Sequence, residues 1–86
     1  MKVAAIQHDI AWEEPEASFE IVRPMIASAV GDGAELVVLT EMFSTGFSMN
    51  ASHIAEPLDG PAASFLSEQA SLHDITVVGS APTRHP

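Results

Sequence analysis

Three short apolar runs, separated by two stretches of helical periodicity, set the pattern of this chain. Lys2 to His8, KVAAIQH, is apolar without clean alternation, which predicts a strand covered on both faces. Leu36 to Thr40, LVVLT, and Ile75 to Ala81, ITVVGSA, predict two more strands. Between the first two runs, Phe19, Val22, Ile26 and Ala29 recur at helical spacing, with Met25 and Val30 widening the stripe. Pro15 stands where a first helical residue would, among Glu13, Glu14 and Glu16, and Gly31-Asp32-Gly33 supplies the stop. Pro24 conflicts with that helix, since a mid-helix proline removes the bond to the carbonyl of Glu20 and predicts a kink or two short helices meeting. A second helix restarts at Asp59-Gly60-Pro61, with Ala62, Phe65, Leu66, Gln69 and Leu72 on one face and His73-Asp74 at its end.

The order is therefore β-α-β-α-β, an α/β unit of mainly parallel strands with right-handed crossovers, and both helices fall on one face of the sheet. Strict alternation puts Val3, Val37, Leu39, Ile75 and Val77 on one side and Ile6, Leu36, Val38 and Val78 on the other. Only one of these sides has helices to cover it. Leaving about four such side chains in water forfeits ~1.5–3 kcal/mol each, or roughly 6–12 kcal/mol. That matches the whole stability of a typical domain, roughly 5–15 kcal/mol. The pattern predicts that the second face is covered by something outside these residues.

Composition narrows the partners. The chain has 86 residues, of which 47% are hydrophobic and 17% charged, so it is at most one small ordered domain. Its formal charge is −9, with Lys2, Arg23 and Arg84 the only lysine and arginine residues. Such a surface disfavours nucleic acid and anionic membranes as partners. The apolar run at the amino end is too short for a signal-peptide core, so a cytoplasmic location is expected. Cysteine is absent, which removes disulfides, thiolate metal sites and a thiol nucleophile. GDG at Gly31 to Gly33 has neither dinucleotide nor P-loop spacing.

One carboxylate stands out. Glu41 falls where the second strand runs out, and open α/β sheets place their sites at the carboxyl ends of strands. A long loop, Met42 to Leu58, follows it, carrying Phe43, Phe47, Met49, His53 and Ile54. Trp12, in the first loop, is expected to fold back on the core, the alternative being a pocket wall. His53 reads as a structural or exposed loop histidine. His8, Asp9 and Glu41, all at strand ends, are candidates for a metal-assisted hydrolase. Against that reading, His8 and Asp9 are adjacent and point different ways on an extended strand.

The segment AELVVLTEMFSTGFSM, with the opening KVAAIQHDIAWEEPEASFE and the later DITVVGSAP, resembles the N-terminal portion of the carbon–nitrogen hydrolase (nitrilase) superfamily. MFSTGFSM is most similar to the ω-amidase-like branch, whose members hydrolyse side-chain amides of small 2-oxo acids. The resemblance implies an α-β-β-α sandwich, in which the uncovered sheet face packs on a second sheet. It also implies a cysteine nucleophile, a glutamate base and a lysine acting on a small amide, with no cofactor and no metal. By position the base is Glu41. Phe43 and Phe47 fall where the family often has pocket-lining aromatics, with packing beneath the pocket as the open alternative. Family members commonly associate through the sandwich, so a homo-oligomer is a state the resemblance allows.

Two departures bear on that reading. Thr40 replaces the proline that usually precedes the glutamate, and no cysteine is present. Lys2 is in the wrong place, and neither histidine nor lysine is spaced to make Ser44 or Ser48 a nucleophile. Residues 1–86 are thus expected to be a partial domain, inactive alone, with the lysine and cysteine segments beyond it. The competing expectation is a small non-catalytic binding or assembly module that uses the uncovered sheet face.

Overall fold

In the computed structural model, which describes residues 1–46, 56–57 and 59–81, the elements are β1 (Val3–Ile6), α1 (Pro15–Gly31), β2 (Leu36–Leu39), α2 (Pro61–His73) and β3 (Thr76–Val78). The strands form one sheet in the order β1-β2-β3, parallel throughout. Each strand is shorter than its apolar run because the flanking residues, among them Gln7, Thr40 and Gly79, lie beyond the ladder.

The register decides which side chains share a face. Ala4, Val37 and Val77 are level with one another, as are Ile6 and Leu39, and these residues are buried or half-buried. They pack with Phe19, Val22 and Ile26 of α1 and Ala62 and Phe65 of α2 in a single core. The opposite face carries Val3, Ala5, Leu36, Val38, Thr76 and Val78, with Val3 54% and Val78 49% exposed. One layer of helices thus covers one side of the sheet. The alternation expected for β1 is inverted, with Ile6 inside and Val3 outside. Its two central residues are both alanine, so nothing in β1 itself favours either face, and pairing with β2 makes the choice.

α1 is one continuous helix through Pro24, in place of the expected break. Pro24 and Glu20 both lie on the exposed face, so the carbonyl freed by the missing N–H can turn to water. The helix ends through Gly33, whose φ of +94° is a left-handed turn, while Ala34 N–H returns to the Ala29 carbonyl at 3.0 Å.

α2 begins without a capping side chain of its own, since Gly60 is the N-cap. The buried Glu56 supplies the acceptor, its Oε1 taking the Ala62 N–H at 2.6 Å. Asp74, at φ +53°, closes the far end in the left-handed conformation. Of its expected face, Ala62, Phe65 and Gln69 are buried, whereas Leu72 is 68% exposed. The buried stripe therefore ends at Gln69, one turn before the helix does. Gln69 is fully buried, and neither atom of its amide has a hydrogen-bond partner among the described residues.

Three phenylalanines tie the two helices to the turn that follows β2. Phe19 and Phe65 stack with centroids 4.5 Å apart, and Phe43 meets them at 6.0 and 5.9 Å. Arg23 lies over the Phe65 ring at 5.4 Å and pairs with Glu20.

Candidate functional site

A parallel sheet brings the residue just past each strand to the same end. Here that end gathers Gln7 and His8 after β1, Thr40 to Met42 after β2, and Gly79 and Ser80 after β3. Glu41 opens a tight turn, residues 41–45, at the end of the central strand. Its carboxylate is exposed and makes no hydrogen bond or ion pair among the described residues. The turn closes through Gly46 N–H to the Met42 carbonyl at 2.9 Å. Met42, at φ +53°, is left-handed without being glycine, a conformation that costs roughly 1–2 kcal/mol and persists only where surroundings impose it.

Those surroundings can be named. From the end of β1, His8 Nε2 donates to the Phe43 carbonyl at 2.9 Å. From the end of β3, the Ser80 hydroxyl accepts the Met42 N–H at 2.9 Å. From the loop before α1, Glu13 N–H donates to the Thr45 carbonyl at 2.7 Å. That loop is pinned in turn by the buried Ser18 hydroxyl, which bonds both the N–H and the carbonyl of Ala11 at 3.2 Å. The Trp12 ring lies against Gly46, and a Cβ there would come within 2.8 Å of it. Beneath the turn, the fully buried Phe43 ring presses on Gly79, where an added Cβ would stand 3.0 Å away.

The geometry therefore exposes one carboxylate while fixing the backbone that carries it. Two cavities lie near this end of the sheet, and Glu41 lines neither of them. A shallow cavity of about 280 Å³ lies between Glu56, Leu66 and Gly79-Ser80-Ala81. Another of about 290 Å³ lies between Ala5-Ile6-Gln7 and Val38-Leu39-Thr40.

The other candidates distribute as follows. Phe43 packs with Phe19 and Phe65, and Phe47, Ser48 and His53 lie outside the described residues. Ser44 is buried with no partner for its hydroxyl among the described residues. Lys2 lies at the opposite, amino end of the sheet, about six residues or ~20 Å from Glu41, where Nζ donates to the Asp32 carbonyl at 2.6 Å. His8, Asp9 and Glu41 form no metal-holding group: among the described residues no three His, Cys, Asp or Glu side chains converge in that way. Trp12 is 59% exposed, lying over the turn instead of folding into the core. The parts of the site unread from sequence are Ser80 and the backbone grips by His8 and Glu13. The signal that could have found the two side chains is position, since each lies just past a strand flanking the one that ends at Glu41.

Comparison with known proteins places this geometry. The sequence model described as carbon-nitrogen hydrolase matches residues 2–86. No curated protein sequence matches the chain. Among solved structures, it is similar to a CN-hydrolase superfamily protein from Xanthomonas campestris whose active site holds an arsenic adduct. The TM-score is 0.87 at 28% identity, over 96% of this chain and 31% of the other. The chain thus spans under a third of that relative's length, and its sheet and two helices match the N-terminal part of the CN-hydrolase fold.

Proposed function

The chain belongs to the carbon–nitrogen hydrolase family, and from that membership we propose that residues 1–86 are the N-terminal portion of an ω-amidase-like enzyme for which Glu41 is the general base. The observation that carries the reading is the place of Glu41: first residue of a clamped turn at the carboxyl end of the central strand, in a chain matched over residues 2–86. The turn fixes the backbone that carries the carboxylate, and nothing among the described residues occupies the carboxylate itself. A base that must reach a thiol and later a water needs both properties.

The reaction follows in two halves. Glu41 takes the proton of a thiol supplied from outside these 86 residues, and the thiolate attacks the carbon of a small carboxamide. The C–N bond breaks, ammonia leaves with a proton, and a thioester remains. Glu41 then takes a proton from water, which attacks the thioester to release the acid and restore the thiol. A lysine outside the chain would stabilise the oxyanion in each half. No cofactor enters. We take Phe43 as the floor of the site and, from the family resemblance alone, Phe47 as a second apolar contact for the substrate. The outer sheet face, with Val3 and Val78 half exposed, is where the rest of the sandwich would pack. No helix among the described residues is long and apolar enough to cross a membrane. We take the complete enzyme to be a cytoplasmic protein acting on a small amide, free to form a homo-oligomer.

The test is the coding sequence downstream of the Pro86 codon. It should encode a lysine-bearing segment and then a cysteine-bearing one, and the protein so extended should release ammonia from small 2-oxo-acid amides. Replacing Glu41 by Gln should cut turnover by roughly 10²–10⁴. A native stop codon followed by unrelated sequence would overturn the proposal.

A further inference from the structure

The Glu41 carboxylate has no partner among the described residues, and what positions it among them acts through its backbone. The two residues after it are each gripped by a side chain from a different flanking strand. Ser80, past β3, accepts the Met42 N–H, and His8, past β1, donates to the Phe43 carbonyl, both at 2.9 Å. One grip is an acceptor and the other a donor, and they pull the 41–42 and 43–44 peptide groups, on either side of the 42–43 peptide, toward opposite neighbours. Between them lies the left-handed Met42. A carbonyl can only accept, so His8 must carry a proton on Nε2. Its Nδ1 is buried and has no partner among the described residues.

We propose that His8 and Ser80 are positioning residues for Glu41, a two-sided clamp that holds the 41–45 turn in its strained form and so aims the carboxylate. This rests on the reading of Glu41 as the base. Neither residue touches the reacting atoms. The clamp requires all three strands in register, because His8 and Ser80 are 72 residues apart in sequence and meet the turn only through the sheet.

The experiment uses the protein extended past Pro86, and its exchange readouts do not depend on the activity of the thiol or the lysine. Amide hydrogen exchange is followed at Gly46, whose N–H closes the turn, with the core helix amide of Ile26 as reference. His8→Leu and Ser80→Ala should each speed exchange at Gly46 by roughly three- to tenfold, the effect of losing one net hydrogen bond, and leave Ile26 unchanged. His8→Gln, which keeps a side-chain N–H, and Ser80→Thr, which keeps the hydroxyl, should restore most of the protection. In the unmodified chain, long-range nitrogen–proton correlation should find the His8 proton on Nε2.

Equal acceleration at Gly46 and Ile26 would reduce the clamp to general stability and overturn the proposal. So would unchanged exchange at Gly46, an unprotected Gly46 in the unmodified chain, or a neutral ring protonated on Nδ1. In the extended protein, His8→Leu should lower kcat with KM unchanged. An extended protein with the clamp intact and no amide hydrolysis would count against the amidase reading alone.

Discussion

Replacing Gly46 by alanine tests how the first loop locks the turn behind Glu41. Two costs combine at this position. Gly46 has φ +80°, and an L-residue in that region costs roughly 1–2 kcal/mol. Its new Cβ would also lie 2.8 Å from Trp12 Cε3 and 3.0 Å from Cζ3, so the ring must move. Trp12 is 59% exposed, which leaves about two-fifths of it covered. Of the roughly 200 Å² a tryptophan can bury, that is about 80 Å², worth ~2 kcal/mol at ~25 cal/mol per Å². Displacing the ring therefore costs up to ~2 kcal/mol, and Gly46→Ala should cost about 1–4 kcal/mol in all.

A double-mutant cycle with Trp12→Ala separates the two. Without the ring the steric part vanishes and Gly46→Ala should cost only the backbone part, about 1–2 kcal/mol. The coupling read from urea midpoints should approach 2 kcal/mol, far above the ~0.3–0.5 kcal/mol within which independent sites add. Trp12 is the only tryptophan, so its emission should shift to the red in Gly46→Ala as the ring swings into water. Equal costs in the two backgrounds, with unchanged emission, would show that the indole does not lie over Gly46.

Other substitutions probe the rest of the frame. Gly79→Ala would place a Cβ 3.0–3.1 Å from the buried Phe43 ring and 3.3 Å from Leu66, so overpacking should cost ~1–3 kcal/mol in urea unfolding. Phe43→Ala removes the ring that meets both Phe19 and Phe65 and should cost ~3–5 kcal/mol by the same measurement. Gln69→Met, which replaces a buried amide having no partner among the described residues, should raise the urea midpoint by the equivalent of ~1–3 kcal/mol. Glu56→Ala strips the acceptor from the Ala62 N–H at the start of α2 and should cost ~1–2 kcal/mol, with the first α2 amides exchanging faster in hydrogen exchange.

Local physics wrote much of this protein directly into the chain. Pro15 and Pro61 open helices because a first-turn proline forfeits no bond, and both helices begin at them. Phe19, Val22 and Ile26 recur at the helical period, and all three are buried. Three apolar runs with helices between them can pair only as a parallel sheet, and they do. Glu41 was legible as a strand-end carboxylate for the same reason. Other features depend on atoms distant in sequence. The face of β1 is ambiguous while Ala4 and Ala5 straddle its middle, and only pairing with β2 puts Ile6 inside. Leu72 matches its helical stripe yet is exposed, a matter of what packs around the end of the helix and not of its own spacing. Pro24 breaks a helix by rule, but here it and Glu20 lie on the exposed face and the helix continues. The clamp on the Glu41 turn is the clearest case. His8 and Ser80 have no pattern in common until parallel register sets the ends of β1 and β3 on either side of Met42 and Phe43. The sequence alone thus named the carboxylate, and the tertiary structure decided what holds it, since hydrogen bonds across 35 and 38 residues exist only once the sheet has formed.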